Sequence, residues 1–438
     1  MSKIKVIVLA GGKGTRMKSN LPKVLHKVYD KSMIECVYTA CNKANVDDIY
    51  VIVGHKKDEV IEHLKDKKVT CIYQAEQLGT GHAAMQAKEY INDDDIVMVV
   101  SGDVPLITSE TITEMIEYYK QNIHKAVIMS AIVDNPNTYC YGRVIRDENK
   151  NLMNVIEQKD ASEEIKLIKE VNMGSYVFNG KLLKESFELL NNNNAQNEYY
   201  ITDIPKIIIE KGYTSGVYTV KDVSEVTGVN SRQDLANVTT IMLNKIRNKW
   251  MKEGVTLIDP LNTYIGNDVV IGKDTIIYPG NVILGNTVIG DNCILYSNNN
   301  IENSNIGDNI NIGPFANIRA NNDIKDNTKI GAYVELKNSK IGESAKISHH
   351  IYLGDSIVGN NAEIGCGVIT ANMNTKWEKK QTQIEDGAFI GCNSVLIAPV
   401  TIEKDAVVAA STVVTKDINK NALAISRCEL LVKDNYKK

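Results

Sequence analysis

No stretch of this chain approaches the ~18 consecutive apolar residues that a bilayer-spanning helix needs. The opening MSKIKVIVLAGG breaks into glycines too early to read as a secretory leader, so neither membrane nor export is expected. An excess of basic charge is missing too. Lys and Arg total 50 against 54 Asp and Glu, for a net charge of −4, which leaves no electrostatic footprint for nucleic acid. Finally, the 8 cysteines (Cys36, Cys41, Cys71, Cys140, Cys293, Cys366, Cys392, Cys428) show no C-x-x-C pair and no matching histidine spacing. That argues against a zinc or redox motif and for free, mostly packed thiols in a reducing cytoplasm. A chain of 438 residues that is 43% hydrophobic and 24% charged is long enough for two or three soluble domains.

What is present is a register. From Ile265 an aliphatic residue recurs every six positions through Ile271, Ile277, Ile283, Ile289, Leu295 and Ile301. It restarts at Ile306 and runs to Leu336, resumes at Ile341, Ile347 and Leu353, again at Val358, Ile364 and Thr370, and lastly from Ile384 to Val414. Neither a helix nor a flat sheet has that period. A hexapeptide repeat predicts a left-handed parallel β-helix, in which each unit forms one side of a triangular coil and points its aliphatic residue into the shaft. About eight coils stacked at roughly 4.8 Å give a prism on the order of 40 Å long. Many register residues are followed by Gly (Gly272, Gly290, Gly331, Gly342), where a Cβ would crowd or strain a tight corner. Asn is abundant, including 191–194 and 298–300, and reads as loop and corner chemistry. Rods of this kind commonly carry acyltransferases; the plainer alternative is a structural rod.

Residues 1–230 have a different rhythm, with short β-branched runs (Lys5–Leu9, Ile49–Val53, Cys71–Gln74, Ile96–Ser101, Ala126–Ile132, Gly174–Phe178) alternating with amphipathic stretches at Met33–Ala44, Asp58–Leu64, Gly81–Ala87, Thr108–Gln121 and Lys181–Leu190. This alternation predicts a Rossmann-like α/β domain. Residues 231–253 read as a linker helix, with Leu235, Val238, Ile241, Met242, Ile246 and Trp250 at helical spacing, and the β-helix domain as 254–438. After the first strand comes Leu9-Ala10-Gly11-Gly12-Lys13-Gly14-Thr15-Arg16-Met17, the place where an open α/β sheet puts its ligand loop. Glycines let backbone N–H groups approach phosphates, while Lys13 and Arg16 offset charge. The string is neither a Walker A nor a G-x-G-x-x-G motif, and by itself it also fits a tight structural turn.

With Leu21-Pro22-Lys23-Val24-Leu25 following, the string resembles the signature of the sugar-1-phosphate nucleotidylyltransferases. The resemblance implies that Leu9, Ala10, Gly11 and Gly12 hold a nucleoside triphosphate and that Arg16 and Lys23 bind its phosphates catalytically. It also implies that Gln74, Gly79 and Thr80 of Gln74-Ala75-Glu76-Gln77-Leu78-Gly79-Thr80-Gly81-His82-Ala83 read the uracil. Further blocks (Ser101-Gly102-Asp103-Val104-Pro105, Tyr141-Gly142-Arg143, Ile156-Glu157-Gln158-Lys159, Val171-Asn172-Met173-Gly174, Asn197-Glu198-Tyr199-Tyr200, Gly228-Val229-Asn230-Ser231-Arg232) make the chain similar to one branch, the bacterial bifunctional N-acetylglucosamine-1-phosphate uridyltransferase/glucosamine-1-phosphate N-acetyltransferases. By that likeness Gly142, Glu157, Asn172 and Asn230 hold the acetamido sugar, and Asp103 with Asn230 ligates Mg²⁺, an ion suited by hard oxygens. UTP and acetyl-CoA are the implied co-substrates, GlcNAc-1-phosphate and glucosamine-1-phosphate the acceptors. No general base is needed for the first reaction, so His26, His55, His63 and His82 are read as structural or surface residues.

The likeness extends along the rod and implies a homotrimer with its second site between subunits. Ala316-Asn317-Ile318-Arg319, Val334-Glu335-Leu336-Lys337 and His349-His350-Ile351-Tyr352 match blocks whose Arg319, Lys337 and Tyr352 bind the phosphate of glucosamine-1-phosphate. His349, three residues before Tyr352, is the implied acetyl-transfer base, with a swap of roles with the neighbouring His350 as the alternative; an attacking amine must shed a proton, and imidazole titrates in the right range. Cys366, Asn372, Met373, Cys392, Ala410 and Arg427 fall at acetyl-CoA positions. Departures from the pattern are Ala320-Asn321 in place of Pro-Gly, Asn372-Met373-Asn374-Thr375 in place of Asn-Tyr-Asp-Gly, a longer loop at 376–381, no late Trp, and Glu363 at a sugar-contacting position where Asn is expected. A carboxylate near a bound phosphate repels it. Three readings follow: a bifunctional enzyme, a uridyltransferase whose rod only trimerises, and a non-enzymatic regulatory subunit. Retention of Arg16, Lys23, Asp103, Glu157, Asn172 and Asn230 together argues against the last.

Overall fold

The computed structural model describes residues 2–136, 141–427, 429–434 and 436; Cys140 and Cys428 lie outside them. Two compact units partition the chain, Met1–Met242 and Leu243–Lys438.

In the first unit, β-branched runs with no polar face become central strands buried on both sides. The strand path is Ser215–Thr219, Ala126–Ile132, Glu170–Asn179, Ile96–Ser101, Ile4–Ala10, Asp48–Val53, Thr70–Tyr73. Ile4–Ala10 pairs in parallel with Asp48–Val53 on one side and Ile96–Ser101 on the other, while Glu170–Asn179 runs antiparallel to both neighbours. The chain therefore reverses its direction of winding beside the first strand, and the loops after Ala10 and Ser101 leave the sheet at this switch point. Period-two alternation sends Val6, Val8, Met98 and Val100 into one core layer and Ile7, Val97 and Val99 into the other. The helix Met33–Lys43 starts from a capping box between Ser32 and Glu35, which satisfies two end donors.

Several elements fall outside the sequence reading. Arg143–Arg146, Leu152–Ile156, Ser215–Thr219 and the helix Ile204–Glu210 were not expected, and the strand placed at Gly174–Phe178 begins at Glu170. The cause in the Arg143–Arg146 strand is visible. Arg143 is fully buried, its guanidinium donating to the carbonyls of Pro136, Tyr141 and Lys166, so a charge sits where hydropathy reading demands an apolar residue. In Glu170–Asn179 the register shifts between Asn172 and Tyr176, with Gly174 at φ 71°, which breaks the alternation.

The second unit is a β-helix of three parallel sheets holding 10, 9 and 8 short strands. Every register residue named above from Ile265 to Val414, Thr370 included, is buried at 5% exposure or less. The array is longer than expected, because Leu257 at the front and Ala424 at the back join the same sheet. Two different residues make each corner. Glycines after the inward residue are needed for room: a Cβ on Gly331 would run into the Ser348 carbonyl oxygen, and one on Gly342 would lie 2.5 Å from Gly359 C. The left-handed backbone falls two residues later, on Asn292, Asn309, Asn361 and Asn393 among others. Asn tolerates φ > 0 through its short polar side chain, which accounts for its abundance here. Asn321, at φ 67°, supplies this conformation where Gly was expected.

Candidate active sites

The loop after Ile4–Ala10 is shaped by its glycines. A Cβ on Gly11 would come 2.7 Å from Gln74 Oε1, and one on Gly14, which has φ 59°, 2.6 Å from Lys23 Cβ. Glycine at 14 thus lets the Lys23 stem lie against the loop. Lys23 Nζ then pairs with Asp103 Oδ2 and donates to Asn230 Oδ1 at 2.7 Å, while Arg16 donates to the same amide oxygen at 2.9 Å. Asn230 is brought there because Val229 N–H donates to the Asp103 carbonyl oxygen at 2.9 Å and Asp234 accepts from Asn230 N–H at 3.0 Å. Two cations, one carboxylate and one amide therefore converge from three distant segments.

This cluster lies between two cavities that share Leu9, Thr80, Ser101 and Asp103. One, of about 390 Å³, is lined by Gly11, Gly12, Lys13, Lys23, Gln74, Gln77, Gly79 and Glu198. The other, of about 200 Å³, is lined by Gly142, Glu157, Asn172, Tyr176 and Asn230. Sequence reasoning thus named most of the larger lining and, in the smaller, Leu9, Thr80, Asp103, Gly142, Glu157, Asn172 and Asn230, and Asp103 lies where the two cavities join. That reasoning missed Gln77, Glu198 and Tyr176, which come from loop and bulge segments without periodicity. Ala10 and Arg16 line neither cavity, although Ala10 directly precedes the glycine loop and Arg16 reaches Asn230.

In the smaller cavity, burial pushes the Glu157 carboxyl above the usual carboxylate range, opposed by a hydrogen bond from Thr202 and reinforced by Asp203, Asp160 and Glu198. Asn172 donates through Nδ2 to the Tyr176 hydroxyl at 2.7 Å, and its N–H donates to the Gly142 carbonyl oxygen at 2.9 Å. Among the described residues no group of three His, Cys, Asp or Glu could hold a metal. The Asp103 and Asn230 oxygens nevertheless meet at one ammonium, so both can face a single cation. Two hard oxygens with room for phosphate and water fit Mg²⁺, which keeps part of its hydration.

On the rod, Arg319 and Lys337 flank the inward Ile318 and Leu336 on adjacent coils, so they point outward from one face in matching register. Tyr352 follows on the next coil, beside Lys337 on the diagonal. His349 occupies the corner leading into that face. The hydrogen bonds Gly367 N–H to His349 O, Asn393 N–H to Cys366 O and Ser411 N–H to Cys392 O put His349, Cys366, Cys392 and Ala410 in one vertical column on successive coils. Asn372 lies at the opposite edge of the same face, nearly buried and donating to Asp355, with Met373 half-exposed beside it at the root of the 373–381 loop. One copy of the chain therefore does not gather all the candidate acyl-donor residues; they stand at two edges. Arg427 is exposed in the tail beyond Leu423–Ala424.

Two rod residues needed the structure to be understood. His349 Nδ1 accepts from Ala332 N–H at 3.2 Å, which leaves the proton of the neutral ring on Nε2. Glu363 lies on the neighbouring sheet in register with Lys346 and is ion-paired with it, so its charge is offset from within the rod. His350 instead stacks on Tyr333, with ring centroids 4.9 Å apart, and Tyr333 stacks on Phe315.

Comparison with known proteins agrees with both halves. A family model described as nucleotidyl transferase matches residues 5–251, and one described as bacterial transferase hexapeptide (six repeats) matches 268–303 and 381–416. Over its whole length the chain is similar to proteins named bifunctional protein GlmU. It is 45% identical over 448 residues to that of Clostridioides difficile (strain 630), an alignment that covers 99% of this chain and 97% of the relative. The protein of Acetivibrio thermocellus is 42% identical over 453 residues (100% and 97%) and that of Carboxydothermus hydrogenoformans 43% over 448 (99% and 99%).

Proposed function

This chain belongs to the bifunctional GlmU family, and from that premise we propose that it makes UDP-GlcNAc in two steps, acetylating glucosamine-1-phosphate on the rod and then joining GlcNAc-1-phosphate to UMP from UTP in the α/β unit. The observation that carries the reading is Asp103, a carboxylate just past the end of a central strand, shared by two cavities, paired with Lys23 and linked through Lys23 and Asn230 to Arg16. UTP lies in the larger cavity with its base toward Gln74, Gly79 and Thr80 and its triphosphate over Gly11 and Gly12. GlcNAc-1-phosphate lies in the smaller one against Gly142, Glu157 and Asn172. An oxygen of its phosphate attacks the α-phosphorus of UTP and pyrophosphate leaves. Such a transfer needs alignment and charge neutralisation more than a protein nucleophile, and Arg16 and Lys23 supply both. Asp103 and Asn230 would hold Mg²⁺, which would supply further neutralising charge to the phosphates beside that of Arg16 and Lys23.

On the rod, Arg319, Lys337 and Tyr352 hold the phosphate of glucosamine-1-phosphate. Its amine attacks the thioester carbon of acetyl-CoA, CoA departs through sulfur, and His349 takes the ammonium proton after its ring releases Ala332 N–H. Glu363 does not oppose this, because Lys346 offsets it. A homotrimer brings the two edges of neighbouring rods together, with His349, Cys366, Cys392, Ala410 and Arg427 on one side and Asn372 and Met373 on the other. The phosphorylated, CoA-linked substrates of this reading fit a cytoplasmic enzyme. No helix of the described residues is long and apolar enough to cross a membrane.

One assay on the full chain tests both halves: pyrophosphate release from UTP and GlcNAc-1-phosphate, and CoA release from acetyl-CoA and glucosamine-1-phosphate, with and without EDTA. Both releases are expected, and only the first should stop with EDTA. Pyrophosphate without CoA would leave the rod as a trimerisation scaffold, and neither product would overturn the reading.

A further inference from the structure

Gln74 is 3% exposed, yet the fate of its amide is decided by a residue outside the cavity lining. Its Nε2 lies 3.0 Å from His82 Nδ1 and only 3.5 Å from the Gly79 carbonyl oxygen, which already accepts from Ala83 N–H at 3.0 Å. The amide oxygen is left on the side of Gly11, within the larger cavity. A glutamine amide can turn over with little change in shape, exchanging an acceptor for a donor. Its orientation matters because uracil presents N3–H, a donor, whereas cytosine presents an unprotonated N3, an acceptor. With its oxygen inward Gln74 matches uracil; with its NH₂ inward it matches cytosine.

His82 has one ring proton for two contacts in its neutral form. Nδ1 faces Gln74, and Nε2 lies 3.3 Å from Gln86 Nε2, whose amide also donates to the His82 carbonyl oxygen at 2.9 Å. The ring can accept on one side only. The shorter contact is to the nearly buried Gln74, while Gln86 is half-exposed and already donates to the His82 carbonyl oxygen, so its amide does not depend on the ring. We propose that His82, with its proton on Nε2, is a positioning residue that fixes the Gln74 amide with its oxygen toward the base and thereby selects uracil over cytosine nucleotides. This rests on the reading of Gln74 as a base contact. A site built to accept N3–H leaves buried groups unpaired when the wrong pyrimidine enters, the situation in which hydrogen bonding discriminates most strongly.

The test is the ratio of kcat/KM for UTP over CTP in pyrophosphate release by the full-length chain. Three variants are compared, with CoA release as the measure of folded protein in each sample. His82→Leu should narrow the ratio by about tenfold or more, mainly through KM. His82→Asn, whose Oδ1 can accept from Gln74, should return it to within about threefold of the parent. Gln74→Leu should narrow it at least as far as His82→Leu. Because both nucleotides are read on one sample, loss of folded enzyme cancels from the ratio. A parental ratio in His82→Leu with a narrowed one in Gln74→Leu would overturn the role of His82 and leave the base site standing. A parental ratio in Gln74→Leu would remove Gln74 from base reading and the inference with it.

Discussion

Asp103 and Lys23 neutralise each other, and in the proposed reaction each would exchange that partner for a new one: the carboxylate for a divalent cation, the ammonium for a phosphate. Replacing the carboxylate by an amide keeps the shape and removes the charge. We expect Asp103→Asn to lower uridyl turnover by at least about 10²-fold, roughly 2.7 kcal/mol of transition-state stabilisation, and to weaken Mn²⁺ binding followed by paramagnetic resonance. Unchanged turnover and binding in a folded variant would remove Asp103 from the site. Glu157 tests a different balance. Burial raises its carboxyl above the unfolded value of 4.5. Below that value both states are protonated and the site costs nothing; as pH rises toward the folded value, the unfolded chain ionises first and folding is disfavoured. Glu157→Gln should therefore be more stable than the parent in urea at pH 7 and nearly equal to it at pH 4, while losing affinity for GlcNAc-1-phosphate. Equal midpoints at both values would contradict the raised carboxyl.

Elements differ in how far the sequence reveals them, and the reason is periodicity. The rod was legible to the residue because Ile265, Ile271 and their successors report one environment repeated at fixed spacing, and all of them are buried. The central strands were legible because Ile4–Ala10 and Ile96–Ser101 are apolar apart from Lys5 and Ser101. The strand Arg143–Arg146 and the bulge at Gly174 were not, since a buried guanidinium and a register shift each violate the pattern that prediction uses. Candidate site residues quoted from short motifs were named only through resemblance, whereas the Glu363–Lys346 pair and the His82–Gln74 contact depend on which coils and segments become neighbours. The corner glycines give this an experimental form. A Cβ at Gly331 would collide with the Ser348 carbonyl oxygen and lie 2.7 Å from His349 Nδ1. We expect Gly331→Ala to shift that corner and lower CoA release by about tenfold or more, in keeping with the sensitivity of catalysis to ångström displacements. Pyrophosphate release should be unaffected. Equal loss of both activities would indicate general unfolding instead of a moved histidine.

At the scale of the whole molecule, the distribution of candidate residues over the rod is itself an argument about assembly. His349, Cys366, Cys392 and Ala410 stand in one corner column, and Asn372 and Met373 stand at the far edge of the same face. In the homotrimer proposed above, the first edge of one copy would meet the second edge of the next and complete a site that a lone copy leaves divided. The core of the rod includes Trp250 and Val255, so a fragment meant to fold alone should begin at Leu243 and not at Gly254. We expect residues 243–438 to sediment as a trimer and 1–242 as a monomer in analytical ultracentrifugation. The sharper measurement is complementation. His349→Ala and Asn372→Ala should each be nearly inactive in CoA release, by about 10²-fold or more for the histidine. Refolded together in equal amounts, random pairing gives about one interface in four with both edges intact, so about a quarter of parental activity should return. If both residues instead serve one copy's own site, no chain in the mixture carries an intact pair and the mixture stays inactive. That outcome would place acetyl transfer within a single rod.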